Sequence, residues 1–254
     1  MQEPLDLAID STGIARLTLN RPKRANSLDA GLTDALVEAI RRCGDDAAIR
    51  AVVVQATGRA FCAGIDIARM KEAGSASYES NYQDALKLAT MLRALRTLPV
   101  PVVAMVQGPA IGLGVGLVAA CDIAVAADVA SFRLTEVRLG ILPAVISPHL
   151  IDAIGERACR RYFLSAEAFS AADALRLGLL HEVCPPEGLE ATVSRIVSEL
   201  LTGKPGAQKA AKALIEAQRS PALDEALIAD TARRLTDIRG GREAQDALAE
   251  FLRK

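Results

Sequence analysis

Two turns in the chain share one construction: an apolar strand, a glycine-bearing loop and a helix start. They read AVVVQATGRAFCAGIDI (51–67) and PVVAMVQGPAIGLGVGL (101–117). A strand-to-helix turn of this kind leaves backbone N–H groups unpaired, and the helix dipole favours negative charge beside them. Two such N–H groups converging from two loops would form an oxyanion hole. That device suits a carbonyl whose oxygen gains charge during reaction, as a thioester does on becoming an enolate. For Gly112, Gly114 and Gly116 the spacing equally suits tight helix packing by small residues, and it does not choose between the two readings.

Several other chemistries are excluded by spacing. The glycine run is G-x-x-x-G-x-G-x-G and lacks the G-x-G-x-x-G order of a dinucleotide fingerprint. Gly203-Lys204-Pro205 is the nearest approach to a phosphate loop, and its proline spoils the pattern. G-x-S-x-G is absent, and the two histidines, His149 and His181, lack the H-E-x-x-H spacing of a zinc protease. The five cysteines (Cys43, Cys62, Cys121, Cys159, Cys184) are widely spaced with no C-x-x-C, the pattern of free thiols in a reducing compartment.

The elements that must hold the two turns follow from periodicity. Leu5–Ile9 and Ile14–Leu19 alternate around Asp10-Ser11-Thr12-Gly13, which predicts a hairpin. Ser27 is a candidate cap for a helix running to about Cys43 and stopped by Gly44. Ala51–Gln55 and Val102–Val106 are continuous apolar strands, each expected to be buried on both faces. A helix starts near Ile65, a longer one runs from about Ser77 to Leu98, and another enters Ala120; Ile123–Ala126 and Ser131–Leu134 are strand-like. From about Ser147 onward the chain reads as helices, at Glu156–Leu164, Ser170–Leu177, Leu189–Leu201, Gly206–Gln218, Leu223–Ile238 and Arg242–Lys254. They are broken at Gly155, Gly178, Pro185-Pro186, Gly203, Pro205 and Pro221.

Composition narrows the class further. The 254 residues are 51% hydrophobic and 24% charged, with 30 Lys+Arg against 31 Asp+Glu. A near-neutral chain with 3% aromatics argues against a nucleic-acid binder or a polybasic membrane-surface protein. The Met1-Gln2-Glu3-Pro4 start lacks an apolar run, and the most apolar stretch, roughly Leu98 to Ala127, is interrupted by prolines, glycines and Asp122. The expected location is cytoplasmic.

Four segments in order carry a resemblance. Arg21-Pro22 with Asn26-Ser27-Leu28, the loop Arg59–Asp66, the segment Pro101–Asp122 and the run Glu136–Pro143 resemble the motifs of the enoyl-CoA hydratase/isomerase (crotonase) superfamily. The resemblance implies an α/β fold, a spiral of ββα turns over residues 1–200, with a helical trimerisation region over 201–254. It also implies a homotrimer or a dimer of trimers acting on acyl-CoA thioesters. No metal or prosthetic group is implied, because CoA enters as part of the substrate.

Carried over by position, the backbone N–H groups of Ile65 and Leu113 would hold the thioester oxygen, with Gly64 and Gly112 beside them. Ala63 and Asp66 would lie along the CoA path, with Lys23 or Arg24 as a phosphate partner; the latter two equally suit an ordinary solvated basic pair. Glu136 would be the general acid/base. Its bland alternative is a salt bridge to Arg133 or Arg138. Family hydratases commonly use a second glutamate at the position of Gly116, so this chain is left with one carboxylate. The implied reaction is hydration of an α,β-unsaturated, branched acyl-CoA. The alternatives are Δ3,Δ2-enoyl-CoA isomerisation and a non-catalytic acyl-CoA-binding subunit. A finer likeness, in Glu136–His149, is to bacterial methylglutaconyl-CoA and isohexenylglutaconyl-CoA hydratases, whose substrates carry a second carboxylate. His149 or Arg69 would be candidates to meet it, while His149 equally suits a locally bonded helix start.

Overall fold

Alternating side chains of the apolar strands go to opposite faces of a sheet, and this is what divides the core in two. The computed structural model describes residues 3–219 and 222–253. The hairpin is formed by β1 (Leu5–Ile9) and β2 (Ile14–Leu19), antiparallel as predicted, with the Asp10 carboxylate accepting the Thr12 and Ile14 N–H groups in the turn. Helix α1 (Ala30–Asp45) leads to β3 (Ala51–Ala56), then α2 (Ile67–Ser75) and α3 (Tyr78–Arg96) lead to β4 (Val102–Val106). The short β5 (Ala110–Ile111) runs into α4 (Leu113–Ala120), followed by β6 (Ile123–Ala127) and β7 (Ser131–Arg133).

The second half is mostly helical: α5 (Ser147–Ser165), β8 (Ala168–Ser170), α6 (Ala171–Leu177), β9 (Glu182–Cys184), α7 (Leu189–Thr202), α8 (Pro205–Ala217), α9 (Glu225–Arg239) and α10 (Arg242–Phe251). The larger sheet has strand order β1-β2-β3-β4-β6-β9, parallel beyond the hairpin; the smaller is β5-β7-β8. Val53, Val103 and Val125 face Val193 and Val197 of α7, while Val52, Val54, Val102 and Ala104 face a larger core with Leu36, Leu88 and Leu92. Each fully buried valine or leucine is worth about 1.5–3 kcal/mol, so this two-sided burial outweighs the low aromatic content.

Several boundaries differ from the sequence reading, each for a local reason. α1 is capped by Asp29, whose carboxylate accepts the Leu32 N–H at 2.8 Å, while Ser27 instead donates to Asp66 at 3.3 Å. The helix also runs through Gly44 to Asp45. α2 starts at Ile67, not Ile65, because Asp66 caps it and Ile65 is held in a parallel bridge with Leu28. Gly155 keeps α5 from being one continuous helix, with a φ of 75° inside it. The expected break at Pro221 and the helix end at Lys254 lie outside the described residues. Among the described residues no helix is long and apolar enough to cross a membrane.

Candidate active site

The loop after β3 is threaded between two others. The Leu28 N–H donates to the Gly64 carbonyl at 2.8 Å, and the Asp66 N–H donates to the Leu28 carbonyl at 3.0 Å. In a parallel bridge the central residue turns its own N–H to the other side, so that of Ile65 faces away from Leu28. On the opposite flank the Ile111 N–H donates to the Cys62 carbonyl at 2.9 Å. Gly64 has φ +86°, and a Cβ there would lie 2.8 Å from the Ile111 oxygen and 3.4 Å from the Leu113 nitrogen. The Leu113 amide, first in α4, therefore sits directly beside the residue that precedes Ile65. Among the described residues no hydrogen bond from the Ile65 or Leu113 N–H to protein is formed.

Gly112 makes the third approach. Its φ of +52° favours glycine, and a Cβ there would lie 2.9 Å from the Glu136 Oε1, so a larger residue would push the Glu136 carboxylate aside. The Gly112 N–H donates to the Arg133 carbonyl at 2.8 Å, fixing β7 and the 3-10 turn Glu136–Leu139 beyond it against the glycine loop. Glu136 as a residue is only half-buried, but its Oε2 is shut off from solvent and accepts no hydrogen bond. Burial pushes its carboxyl up to about 7 from an ordinary 4.5. The salt-bridge alternative is not what forms: the Arg133 Nε reaches the Ala166 carbonyl at 2.8 Å, and Arg138 is exposed.

Ile65, Gly112, Leu113 and Glu136 all line one cavity of ≈ 50 Å³, together with Ala63 and Gly64. Its remaining wall is apolar apart from Thr135: Ile67, Met70, Ile111, Leu139, Ile141, Leu142, Pro143, Ala144, Val145, Ile146 and Leu235. That is room for a few water-sized groups. Sequence reasoning missed most of this wall. The Pro143–Pro148 turn, which carries Val145 and Ile146, was a legible signal; Leu235 had none, because it arrives from α9.

The other predicted site residues are distributed as follows. Lys23 and Arg24 are exposed in the 3-10 turn Pro22–Arg24, tied to the site by the Ala63 N–H donating to the Ala25 carbonyl at 2.9 Å. Asp66 is occupied as the cap of α2, accepting the Ala68 N–H at 3.0 Å. Gly116 is buried, and a Cβ there would lie 2.3 Å from Ile146 Cγ2, so a glutamate side chain could enter only if Ile146 moved.

His149 and Arg69 lie outside the cavity lining. His149 is fully buried in the first turn of α5 and does not line the cavity; neither ring nitrogen has a partner. Burial, then Arg96 and Arg219, push it down to about 3, so it is neutral. Arg69 is committed to Asp84 at 2.7 Å and to the Asp29 carbonyl at 3.0 Å. Neither lines the cavity that Glu136 shares with the two glycine loops. Cys62 is buried with its thiol pushed up to about 12, and is inert packing. Asp122 accepts the Val102 N–H at 2.7 Å, and His181 Nδ1 accepts the Ala124 N–H at 3.1 Å, both structural. Among the described residues no cluster of three His, Cys, Asp or Glu side chains could hold a metal ion.

A parallel-sheet core that ends in a helical region, with two glycine turns and one buried carboxyl around an apolar cavity, defines a crotonase-like α/β protein. The model of the enoyl-CoA hydratase/isomerase family matches residues 10–254, and the chain belongs to that family. It is similar to a crystal structure of an enoyl-CoA hydratase from Mycobacterium avium, with 33% identity, a TM-score of 0.85, and coverage of 100% of this chain and 97% of that one. An enoyl-CoA hydratase of Alternaria alternata is 30% identical over 96% of this chain and 80% of its own length. A trans-2-decenoyl-[acyl-carrier-protein] isomerase of Streptococcus mutans is 29% identical over 80% of this chain and 78% of its own length. The activity is therefore of the hydratase/isomerase type on acyl-CoA thioesters.

Proposed function

We propose that the chain catalyses syn hydration of a short, neutral α,β-unsaturated acyl-CoA. In this reading the thioester oxygen lies between the Ile65 and Leu113 N–H groups, which form an oxyanion hole, and the CoA phosphates reach Lys23 or Arg24. Glu136, as carboxylate, takes a proton from water while the water oxygen bonds to the β-carbon. The electron pair of the double bond moves toward the carbonyl, and the resulting enolate charge is held by the two amides. Glu136 then returns the proton to the α-carbon and is regenerated. Syn addition puts hydrogen and hydroxyl on one face, so one carboxylate on that face serves both steps, and Gly116 is no obstacle. The observation that carries the reading is the unpartnered Oε2 of Glu136 in the cavity shared with both amide loops. A carboxyl near 7 is well matched to accepting and returning a proton at neutral pH.

The cavity wall has no basic side chain among the described residues, which favours a neutral acyl group, straight or β-branched, over a methylglutaconyl-type chain. Assembly as a homotrimer or dimer of trimers is part of the same proposal, with the exposed Leu214 and Ile215 of α8 as apolar contact surface. So is a division into a core over 1–200 and a helical trimerisation region over 201–254.

Isomerisation of a Δ3-enoyl-CoA is the second reading, favoured by the single carboxylate and by the Streptococcus relative. Purified protein is given crotonyl-CoA, 3-methylcrotonyl-CoA, 3-methylglutaconyl-CoA and 3-hexenoyl-CoA, and conjugated-thioester absorbance is followed. Loss of absorbance with the first two supports hydration. Gain with 3-hexenoyl-CoA alone supports isomerisation, and preference for the glutaconyl ester refutes the neutral-chain assignment. Glu136→Gln should lower turnover by ~100-fold or more. CoA thioester binding without turnover in either form would leave only a binding subunit.

A further inference from the structure

The cavity wall is built almost wholly from residues 63–70 and 111–146, with one exception. Leu235 comes from α9, nearly ninety residues further along the chain, and is 2% exposed. α9 is not loosely laid over the site. One turn beyond Leu235, the fully buried Arg239 pairs with Asp84 of α3 at 3.0 Å, and its Nε donates to Asn81 Oδ1 at 2.8 Å. Asn81 Nδ2 in turn donates to the Thr236 carbonyl at 3.1 Å. The other oxygen of Asp84 accepts Arg69 of α2 at 2.7 Å, and Met70, next to Arg69, also lines the cavity. One partly buried carboxylate, that of Asp84, therefore ties together the two helices that bring Leu235 and Met70 to the same wall.

We infer that Leu235 is a specificity-determining residue that limits acyl-chain length, held as a fixed wall by the Arg239–Asp84–Arg69 bridge. The glycine turns and Glu136 define the reacting end, so the apolar remainder of the wall is what an acyl tail meets. A helix anchored by the fully buried Arg239 and its pairing to Asp84 cannot retreat as a surface loop would, and extra methylenes meet Leu235 directly. Discrimination by one methylene in an apolar pocket is typically tenfold or more. The inference rests on acyl groups entering this cavity and is independent of which reaction follows.

The test measures binding, so that turnover is not needed. Calorimetry gives the affinities of butanoyl-CoA, hexanoyl-CoA and octanoyl-CoA for the wild type, Leu235→Ala and Leu235→Val. Expected is a rise of at least ~10-fold in the octanoyl-to-butanoyl affinity ratio for Leu235→Ala and a smaller rise for Leu235→Val, with butanoyl-CoA affinity little changed. An unchanged ratio in a folded variant overturns the inference, as does a uniform loss for all three esters, which would put Leu235 on the CoA side. Should Leu235→Ala not fold, the Leu235→Val ratio decides on the same criteria. Absence of turnover with every enoyl ester alongside a shifted affinity ratio would defeat the hydratase reading and leave this one standing.

Discussion

In the proposed mechanism the charge state of Glu136 links catalysis to stability, and the sign of that link is open to measurement. In the unfolded chain the carboxyl ionises around 4.5, whereas in the folded protein burial holds its proton up to about 7. Below 4.5 both states are protonated and the group costs nothing. Between 4.5 and 7 the unfolded state sheds a proton that the folded state keeps, so stability falls as pH rises. Above 7 the loss is complete, on the order of 3 kcal/mol, which water entering the cavity reduces. Glu136→Gln keeps the shape and removes the titration. Urea denaturation of both proteins at steps from pH 4.5 to 8.5 should show no pH-dependent gain for the variant at the acid end. The gain should then grow to roughly 3 kcal/mol by pH 8, equivalent to a melting shift of about 6–12 °C. The kcat/KM of the wild type should climb with pH through the same region, because the proposed hydration starts from the carboxylate. A stability difference that stays flat from pH 5 to 8.5 would show that the carboxyl ionises normally, and the account of Glu136 as a desolvated base would be wrong.

Two further outcomes follow from the packing. Gly116→Glu should destabilise the protein by about 1–3 kcal/mol in thermal or urea melts, because the new Cβ meets Ile146 Cγ2 at 2.3 Å, and Ile146→Ala added to it should recover part of the loss. Asp84→Ala leaves the fully buried Arg239 without its ion-pair partner and the partly buried Arg69 without its carboxylate, and should cost about 3–5 kcal/mol by urea denaturation.

The local part of the fold was readable because the sequence encodes it locally. The hairpin, the two apolar strands and most of the later helices lie within a few residues of where periodicity and breakers put them. Ser27 misled because Asp29 offers the better-placed carboxylate, and Ile65 misled because its pairing partner, Leu28, is far along the chain. The same limit applied to the site. Glu136 and the loops of Ile65 and Leu113 carry short-range motifs, so they could be put forward as candidates before any coordinates, and they line one cavity. His149 could not be placed, since only tertiary packing decides that a helix-start histidine is fully buried within the electrostatic reach of Arg96, Arg219 and Asp152. Leu235 was invisible for the reverse reason: nothing around it in the chain distinguishes it from any other helical leucine.

The packing of the last helices has a consequence for biosynthesis. Ala244 of α10 lies against Gly140, next to the turn bearing Glu136, and Leu235 of α9 completes the cavity. A nascent polypeptide emerges from its N-terminal end, so the sheet and both glycine loops can form while α9 and α10 are still within the ribosome. Until α9 is free, the cavity lacks the part of its wall that Leu235 supplies. Ribosome-stalled intermediates ending near residue 220 would thus hold Ile65, Leu113 and Glu136 and yet lack the wall that Leu235 completes.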